Sequence, residues 1–466
     1  MSLIFEVASL SESNREMIST QLEVNINEDN NKNSFQKKKM PGAIPRYMYP
    51  YRMIGSGKVS LPVAWALKNI PSASRPPRSQ FTQTKYNYTA ALRDPQSVVK
   101  KEALAHLNKR GTVIISAYPG FGKTVTSINL AHKIKMRTLV LVNKVVLIQQ
   151  WLSSVEAFTS LVKGSGVIKV SPPTKTQREK KDKMDKWVSK ARDASILVMN
   201  AINVKKLPPS FFADIGCLIV DECHQLMSPC LSEALLYVQP RYVIALSATP
   251  YRPDGLNKLL DFYFSEERIV RTLKKAHTVL EVRTGFKPVS TTTVQGRLDW
   301  NALLNSQSEN DERNAMIVNT AVALSTTKKK KKITKRVDQA EFLEREIGKK
   351  NVKISGLYGS KKKYDQECAV LVGTASKIGV GFDHKSLDCL ILASDIESYF
   401  IQFLGRVFRS PDVEPIIVDF VDSHPVLRKH FRTRKKVYVE HGGKITTLKS
   451  KDGYAGIPRA LSSLLM

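Results

Sequence analysis

The chain has 466 residues, too many for one compact core and suited to two or three domains. Its 42% hydrophobic and 25% charged residues are ordinary for a soluble globular protein. Its 73 Lys+Arg against 42 Asp+Glu leave +31, an excess that calls for a polyanionic partner, nucleic acid being the commonest. An anionic membrane, the other common polyanion, finds no amphipathic basic helix and no long apolar span to hold.

The N-terminus, MSLIFEVASLSESN, lacks a basic region followed by a long apolar one, so no secretory signal is expected. Cys217, Cys223, Cys230, Cys368 and Cys389 include no C-x-x-C pair and sit in or beside apolar runs. That pattern predicts reduced thiols in a soluble intracellular protein, with neither disulfides nor zinc. Residues 1–89 combine a polar stretch (NINEDNNKNSFQKKK), a Pro/Tyr-rich piece (PGAIPRYMYPYR) and one persuasive apolar element, VSLPVAWALKNI. They read as a small, partly flexible N-terminal module.

From residue 90 short apolar runs recur at 112–116, 138–142, 196–199, 217–220 and 243–246, separated by amphipathic stretches. A second series follows at 352–357, 369–372, 389–393 and 415–420. Runs without alternation suit strands buried on both faces of a parallel sheet, so two doubly wound α/β domains in tandem are predicted. The expected boundaries are 90–278 and 279–440, with a tail over 441–466.

The run TVIIS enters Ala117-Tyr118-Pro119-Gly120-Phe121-Gly122-Lys123-Thr124 and then a helix with Val125, Ile128, Ala131 and Ile134 on one side. Strand, Gly-rich turn and helix N-terminus together make a phosphate-binding loop. Gly120 and Gly122 let backbone N–H groups wrap phosphates, Lys123 reaches the β/γ-phosphates, and the Thr124 hydroxyl binds Mg²⁺. Ala117 stands where the motif text has its first Gly.

The run CLIV delivers Asp221-Glu222-Cys223-His224 at its carboxyl end. Asp221 is assigned to Mg²⁺ and Glu222 to activation of the attacking water. Alone, such an acidic pair could equally be a helix cap; the phosphate loop a hundred residues upstream decides for chemistry. His224 is open between coupling and a local hydrogen bond. VIAL ends in Ser247-Ala248-Thr249-Pro250, where a motif coupling the ATP site to a nucleic-acid groove is expected; a helix cap is the plainer alternative.

Over residues 90–440 these motifs resemble superfamily 2 helicases, which implies two RecA-like domains that clamp ATP. Leu92-Arg93-Asp94-Pro95-Gln96 looks like the family's opening element, with the Gln96 amide on adenine. The segment 139–151 (LVLVNKVVLIQQW) is similar to motif Ia, which gives Lys144 as a nucleic-acid contact. Residues 333–340 resemble motif IV, with Lys335 on the strand. Residues 372–383 look like motif V, which places Gly379 and Asp383 at the nucleotide and Thr374 at the nucleic acid. Gln402-Phe403-Leu404-Gly405-Arg406-Val407-Phe408-Arg409 matches motif VI, and Arg406 and Arg409, three apart, share a helix face from which two guanidiniums can stabilise a γ-phosphate. Within the superfamily, SATPYRPDG (247–255) and the basic, aromatic tail RTRKKVYVEHGGK resemble the poxviral transcript-release helicases and relatives in other large cytoplasmic DNA viruses. That implies a host-cytoplasmic or virion protein.

One departure stands out: motif IV follows five lysines, 328–332, where the family has an apolar strand. Five ammonium groups do not suit a buried strand, so an exposed edge or loop touching phosphate is expected there. The segment 424–436 carries Arg428, Lys429, Arg432, Arg434, Lys435 and Lys436, with Phe431 and Tyr438 available for stacking. It reads either as an extension of the nucleic-acid track or as a solvated helix.

The expected function is an ATP- and Mg²⁺-dependent helicase or translocase; the family resemblance implies movement 3′ to 5′, on DNA more readily than RNA, in the service of transcription. It is expected to be a monomer with no membrane partner. Two alternatives compete: a translocase, remodeller or restriction-type motor subunit that does not unwind, and a non-hydrolysing clamp. The clamp would require loss of Lys123, Glu222 or Arg409, and all three are present.

Overall fold

Parallel strands buried on both faces are what the unalternating apolar runs become. The computed structural model describes residues 1–25, 47–174, 181–249, 256–294, 296, 298–325, 330–334, 336–361, 363–379, 387–396, 400–408 and 413–449. The chain forms two compact units, the first holding Met1–Ala117 and Phe121–Arg271, the second Tyr118–Gly120 and the residues from Thr272 onward.

The first unit contains β1 (Thr112–Ala117), β2 (Thr138–Val142), β3 (Val167–Val170), β4 (Ile196–Asn200), β5 (Cys217–Val220), β6 (Tyr242–Ser247) and β7 (Arg268–Arg271). They pair in the order β7-β1-β6-β5-β2-β4-β3, parallel throughout. One face of this sheet, with Leu139, Leu141, Leu197 and Leu218, packs into a core that also holds Met1, Leu3, Leu61 and Trp65. The N-terminal residues therefore share the first unit's core. Strand Ser2–Glu6 pairs antiparallel with Lys58–Pro62, and the Ser2 hydroxyl donates to the Leu236 carbonyl at 2.9 Å. The polar stretch expected to be flexible falls almost wholly in 26–46, outside the described residues.

The second unit contains β8 (His277–Arg283), β9 (Lys330–Thr334), β10 (Ile354–Leu357), β11 (Val370–Thr374), β12 (Cys389–Leu392), β13 (Ile416–Val421) and β14 (Gly443–Lys449). Their order is β10-β11-β9-β12-β13-β8-β14, again all parallel. Side chains alternate between two cores: Leu371, Leu390 and Ile417 meet Phe403, Phe431 and Tyr438, while Val370, Val372, Ile391 and Val418 meet Ile317, Ala321, Leu343 and Ile347.

The lysine run corrects an expectation. Rather than an edge or loop, Lys330, Lys331 and Lys332 lie in β9, paired on one side with β11 and on the other with β12. The cause is topological. Helices Asp311–Ser325 and Val337–Gly348 pack on the same face of the sheet, in one core, so the chain between them must return along the sheet. The ladder it joins uses backbone N–H and C=O groups, which lysine has like any residue. Lys328 and Lys329 lie outside the described residues. The expected tail also begins in structure, because Gly443–Lys449 forms the edge strand beside β8. Cys217, Cys223, Cys368 and Cys389 are buried and form no disulfide among the described residues. Among those residues no helix is long and apolar enough to cross a membrane.

Candidate ATP site and nucleic-acid surface

β6 lies between β1 and β5, so the phosphate loop, Ser247-Ala248-Thr249 and the acidic pair leave the sheet at adjacent carboxyl ends, where open α/β sheets bind ligands. Gly120 and Gly122 have φ of 89° and 94°, the left-handed region that side chains resist. Gly122 precedes the helix Lys123–Ile134, and a Cβ on it would come within 2.2 Å of the Gln96 amide nitrogen. That amide braces the loop. Its Nε2 donates to the Phe121 carbonyl at 2.8 Å, its Oε1 accepts from the Arg93 N–H at 2.9 Å, and the Arg93 guanidinium donates to the same Phe121 carbonyl. Lys123 Nζ donates to the Ala117 carbonyl at 2.7 Å, which folds the ammonium back onto the end of β1. The partial positive charge of a helix N-terminus, here at Lys123 and Thr124, makes this a place for an anion.

Asp221, just past the end of β5, is a half-buried acid. Burial pushes its carboxyl up, while three partners pull it back: the Trp151 indole N–H at 2.8 Å, the Lys123 charge, and the Glu222 backbone N–H at 3.0 Å. Asp221 and the Thr124 hydroxyl offer hard oxygens of the kind Mg²⁺ takes, so the donor set fits the expected metal. Glu222 has φ 48°, a left-handed conformation that costs a non-glycine residue about 1–3 kcal/mol and clusters at functional sites. The His224 ring nitrogen Nδ1 sits 2.8 Å from the Ser247 hydroxyl and 3.6 Å from the Glu222 carboxylate. The Ser247 hydroxyl accepts from the Thr249 N–H at 3.0 Å and donates to the Thr249 carbonyl. His224 thus hydrogen-bonds to Ser247-Ala248-Thr249 and stands within ion-pair distance of the acidic motif.

Sequence reasoning missed Trp151, Asn143, Gln225 and Asn200. The Asn143 amide donates to Gln225, one residue past His224, and Asn200 donates to the Asn143 carbonyl at 3.4 Å. This ties the acidic motif to the ends of β2 and β4. The signal was positional, since both asparagines end or follow a buried strand. Lys144 beside Asn143 is exposed, as its assignment requires, and so are Val145 and Val146. Trp151 orients Asp221 without touching substrate. Trp151→Phe should therefore raise the Mg²⁺ concentration for half-maximal ATPase about 10–100-fold, the usual cost of losing an outer partner of a metal ligand. An unchanged Mg²⁺ titration would refute that role.

In the second unit Gln402 and Arg406 lie on the helix Phe400–Val407, 5% and 8% exposed. Gly379 ends the short helix Ala375–Gly379 after β11. Arg409, Asp383 and Lys335 lie outside the described residues. Thr374 is buried and its hydroxyl meets that of Ser376 at 3.2 Å, so Ser376 is the exposed hydroxyl there.

Arg434 requires a correction. It is 3% exposed, with Nε on Asp419 at 2.8 Å and Nη1 on Asp395 at 2.6 Å, so it holds the second unit together instead of reaching nucleic acid. Phe431 and Tyr438 are buried in the same core and unavailable for stacking. Arg432, Lys435 and Lys436 on that helix are exposed.

Fold and site together define a phosphate-loop ATPase built on two RecA-like domains. The family model for the Type III restriction enzyme, res subunit, matches residues 89–252. "Putative helicase 161L" of Invertebrate iridescent virus 6 is 39% identical over 397 residues, 81% of this chain and 87% of that protein. "Putative helicase 055L" of Frog virus 3 is 34% identical over 413 residues, 86% of this chain and 89% of that one. The chain belongs to the superfamily 2 helicases, nucleic-acid-dependent ATPases, alongside these viral relatives. Its fold is similar to that of S. cerevisiae Dbp5 bound to RNA and ADP BeF3, with TM-score 0.52, 13% identity, and coverage of 79% of this chain and 93% of that one. It is also similar to the ATP-dependent Type ISP restriction-modification enzyme LlaBIII bound to DNA, with TM-score 0.55, 14% identity, and coverage of 83% and 33%.

Proposed function

We propose that the chain is an ATP-driven motor that unwinds DNA, moving 3′ to 5′ and serving transcription or transcript release. The observation that carries the ATPase chemistry is the half-buried Asp221–Glu222 pair at the end of β5, with only β6 between it and the strand that enters the phosphate loop, and with Asp221 within the electrostatic reach of Lys123. Lys123 and the loop N–H groups hold the β- and γ-phosphates, and Gln96 takes adenine on releasing the Phe121 carbonyl. Thr124 and Asp221 hold Mg²⁺, which when bound neutralises phosphate charge. Glu222 accepts the proton of the attacking water, and ADP and inorganic phosphate leave. Gln402, Arg406 and Arg409 are assigned to the γ-phosphate, with Gly379 and Asp383, on the strength of the motif order. His224, Ser247, Ala248 and Thr249 carry the change at Glu222 toward the strand, which Lys144, Lys335 and Arg432 contact.

The polarity, the DNA track and the transcriptional role rest on the resemblance of 247–255 and the basic tail to the poxviral release helicases. Strand displacement on DNA, RNA and hybrid duplexes with either tail tests them: a 3′-tailed DNA duplex should be opened best. The restriction-enzyme family match favours a second reading, translocation without unwinding, and ATP turnover with no displacement on any substrate would select it. Binding should be dominated by phosphate contacts, as the +31 charge suggests. Log affinity should then fall linearly with log salt and depend little on base sequence; a salt-insensitive constant would contradict this.

A further inference from the structure

At the outer edge of the first sheet a groove of about 390 Å³ opens between β3 and the helix Lys181–Asp193. Four lysines line it: Lys169 from β3, and Lys183, Lys186 and Lys190 from the helix. On β3 Ile168 and Val170 are buried while Lys169, between them, is exposed. On the helix the three lysines recur at spacings of three and four, so they form one stripe, and all three are exposed. Among the described residues none of the four is paired with a carboxylate. Asp193 is engaged elsewhere, accepting from the Ser189 hydroxyl at 3.3 Å. Trp187 lines the same groove and is anchored by stacking on Phe211, with ring centroids 5.4 Å apart and planes 27° apart.

The position of the groove gives this cluster a direction. β2, β4 and β3 are consecutive parallel neighbours, so their carboxyl ends run from Asn143 and Lys144, past Asn200, to the end of β3. At about 4.8 Å per strand, the groove begins roughly 10 Å beyond Lys144. The helix then carries the stripe about 10 Å further, at 1.5 Å per residue from Lys183 to Lys190. A lysine on an edge strand also deters stray strand pairing, which accounts for Lys169. It does not account for three more lysines and a tryptophan turned into the same groove from a separate element.

We propose that this groove is a second phosphate-backbone contact, which extends the nucleic-acid track past Lys144 to the outer edge of the first unit. The inference rests on the reading of the chain as a nucleic-acid motor, and goes beyond it in assigning binding to a segment that carries none of the helicase motifs. The occupant is the phosphodiester backbone of the strand already held at Lys144.

The test compares the full chain with its Lys169→Ser, Lys183→Ser, Lys186→Ser, Lys190→Ser variant on two single strands. One is about 8 nucleotides long, within the span a single binding fold covers; the other is several times longer. For the longer strand the variant's log affinity against log salt should be shallower by about 2–3, because each lost single-strand phosphate contact removes about 0.7. Its low-salt affinity should fall at least about tenfold, while affinity for the short strand and ATPase at saturating nucleic acid stay as in the parent. An unchanged slope on the long strand would reduce the groove to a solvated face. Equal losses on both strands would place the lysines in the main track and overturn a separate contact. Loss of sedimentation with phosphatidylserine vesicles, with nucleic-acid binding intact, would reassign the groove to a membrane. If the parent chain binds no nucleic acid at all, the motor reading fails with it; if the parent binds and the variant matches it, only this inference fails.

Discussion

Glu222→Gln should stop ATP turnover while leaving nucleotide binding in place. The residue's left-handed backbone, at φ 48°, puts its carboxylate beside His224 at the end of β5, and glutamine keeps that shape while losing the ability to accept a proton. General-base catalysis is worth about 10²–10⁴ in rate, so steady-state ATPase at saturating nucleic acid should fall by at least about a hundredfold. Lys123→Ala should act differently. Its ammonium is held at the end of β1 by the Ala117 carbonyl at 2.7 Å, and a charge-assisted hydrogen bond is worth about 1.5–3 kcal/mol. Nucleotide affinity should therefore drop about 10–150-fold before chemistry is reached. Normal turnover in Glu222→Gln would remove the carboxylate from its assigned role, whatever Lys123→Ala does.

That site was legible because its motifs are local: a strand, a glycine turn and a helix start leave a contiguous signature, and so does a strand ending in two acids. What holds those motifs is not local. Trp151 reaches Asp221 across 70 positions, and Asn143 reaches Gln225 across 82, so no spacing rule announces either bond. The strands divide the same way. β1, β2, β4, β5 and β6 are interior, buried on both faces, and show as continuous apolar runs. β3, β7 and β14 are edge strands and read VIKV, RIVR and GKITTLK, with polar residues where the sheet meets solvent. β9 is interior yet begins with three lysines, and its place comes from the two helices that flank it.

Arg434→Ala should unfold the second unit far more readily than any neighbouring change on the same helix. The sequence signal was present: Leu427, Phe431, Arg434 and Tyr438 recur at spacings of four, three and four, the stripe that a helix turns to its core. All four are buried, and Arg434 bridges Asp395 and Asp419, with the Tyr438 hydroxyl also donating to Asp419 at 2.8 Å. Removing the guanidinium strands two buried carboxylates, and breaking a buried pair in this way costs about 3–5 kcal/mol. Arg432→Ser, two positions away on the exposed face of the helix, should stay within about 0.5 kcal/mol.

Acid gives a second handle on the same network. Burial pushes the Asp395 carboxyl up, but the His430 hydrogen bond and the Arg434 charge outweigh it and hold the group below its usual range. A carboxylate with a depressed folded value stabilises the protein above the unfolded value near 3.9 and loses that contribution as pH falls through the folded value. In Arg434→Ala much of the counterweight is gone, burial gains ground, and protonating Asp395 relieves the variant. The stability gap between parent and variant, read by urea unfolding, should therefore be widest near neutral pH and narrow as pH drops below about 4. A gap that stays constant with pH, or an Arg434→Ala variant as stable as Arg432→Ser, would show that the pairing with Asp395 and Asp419 does not hold the unit together.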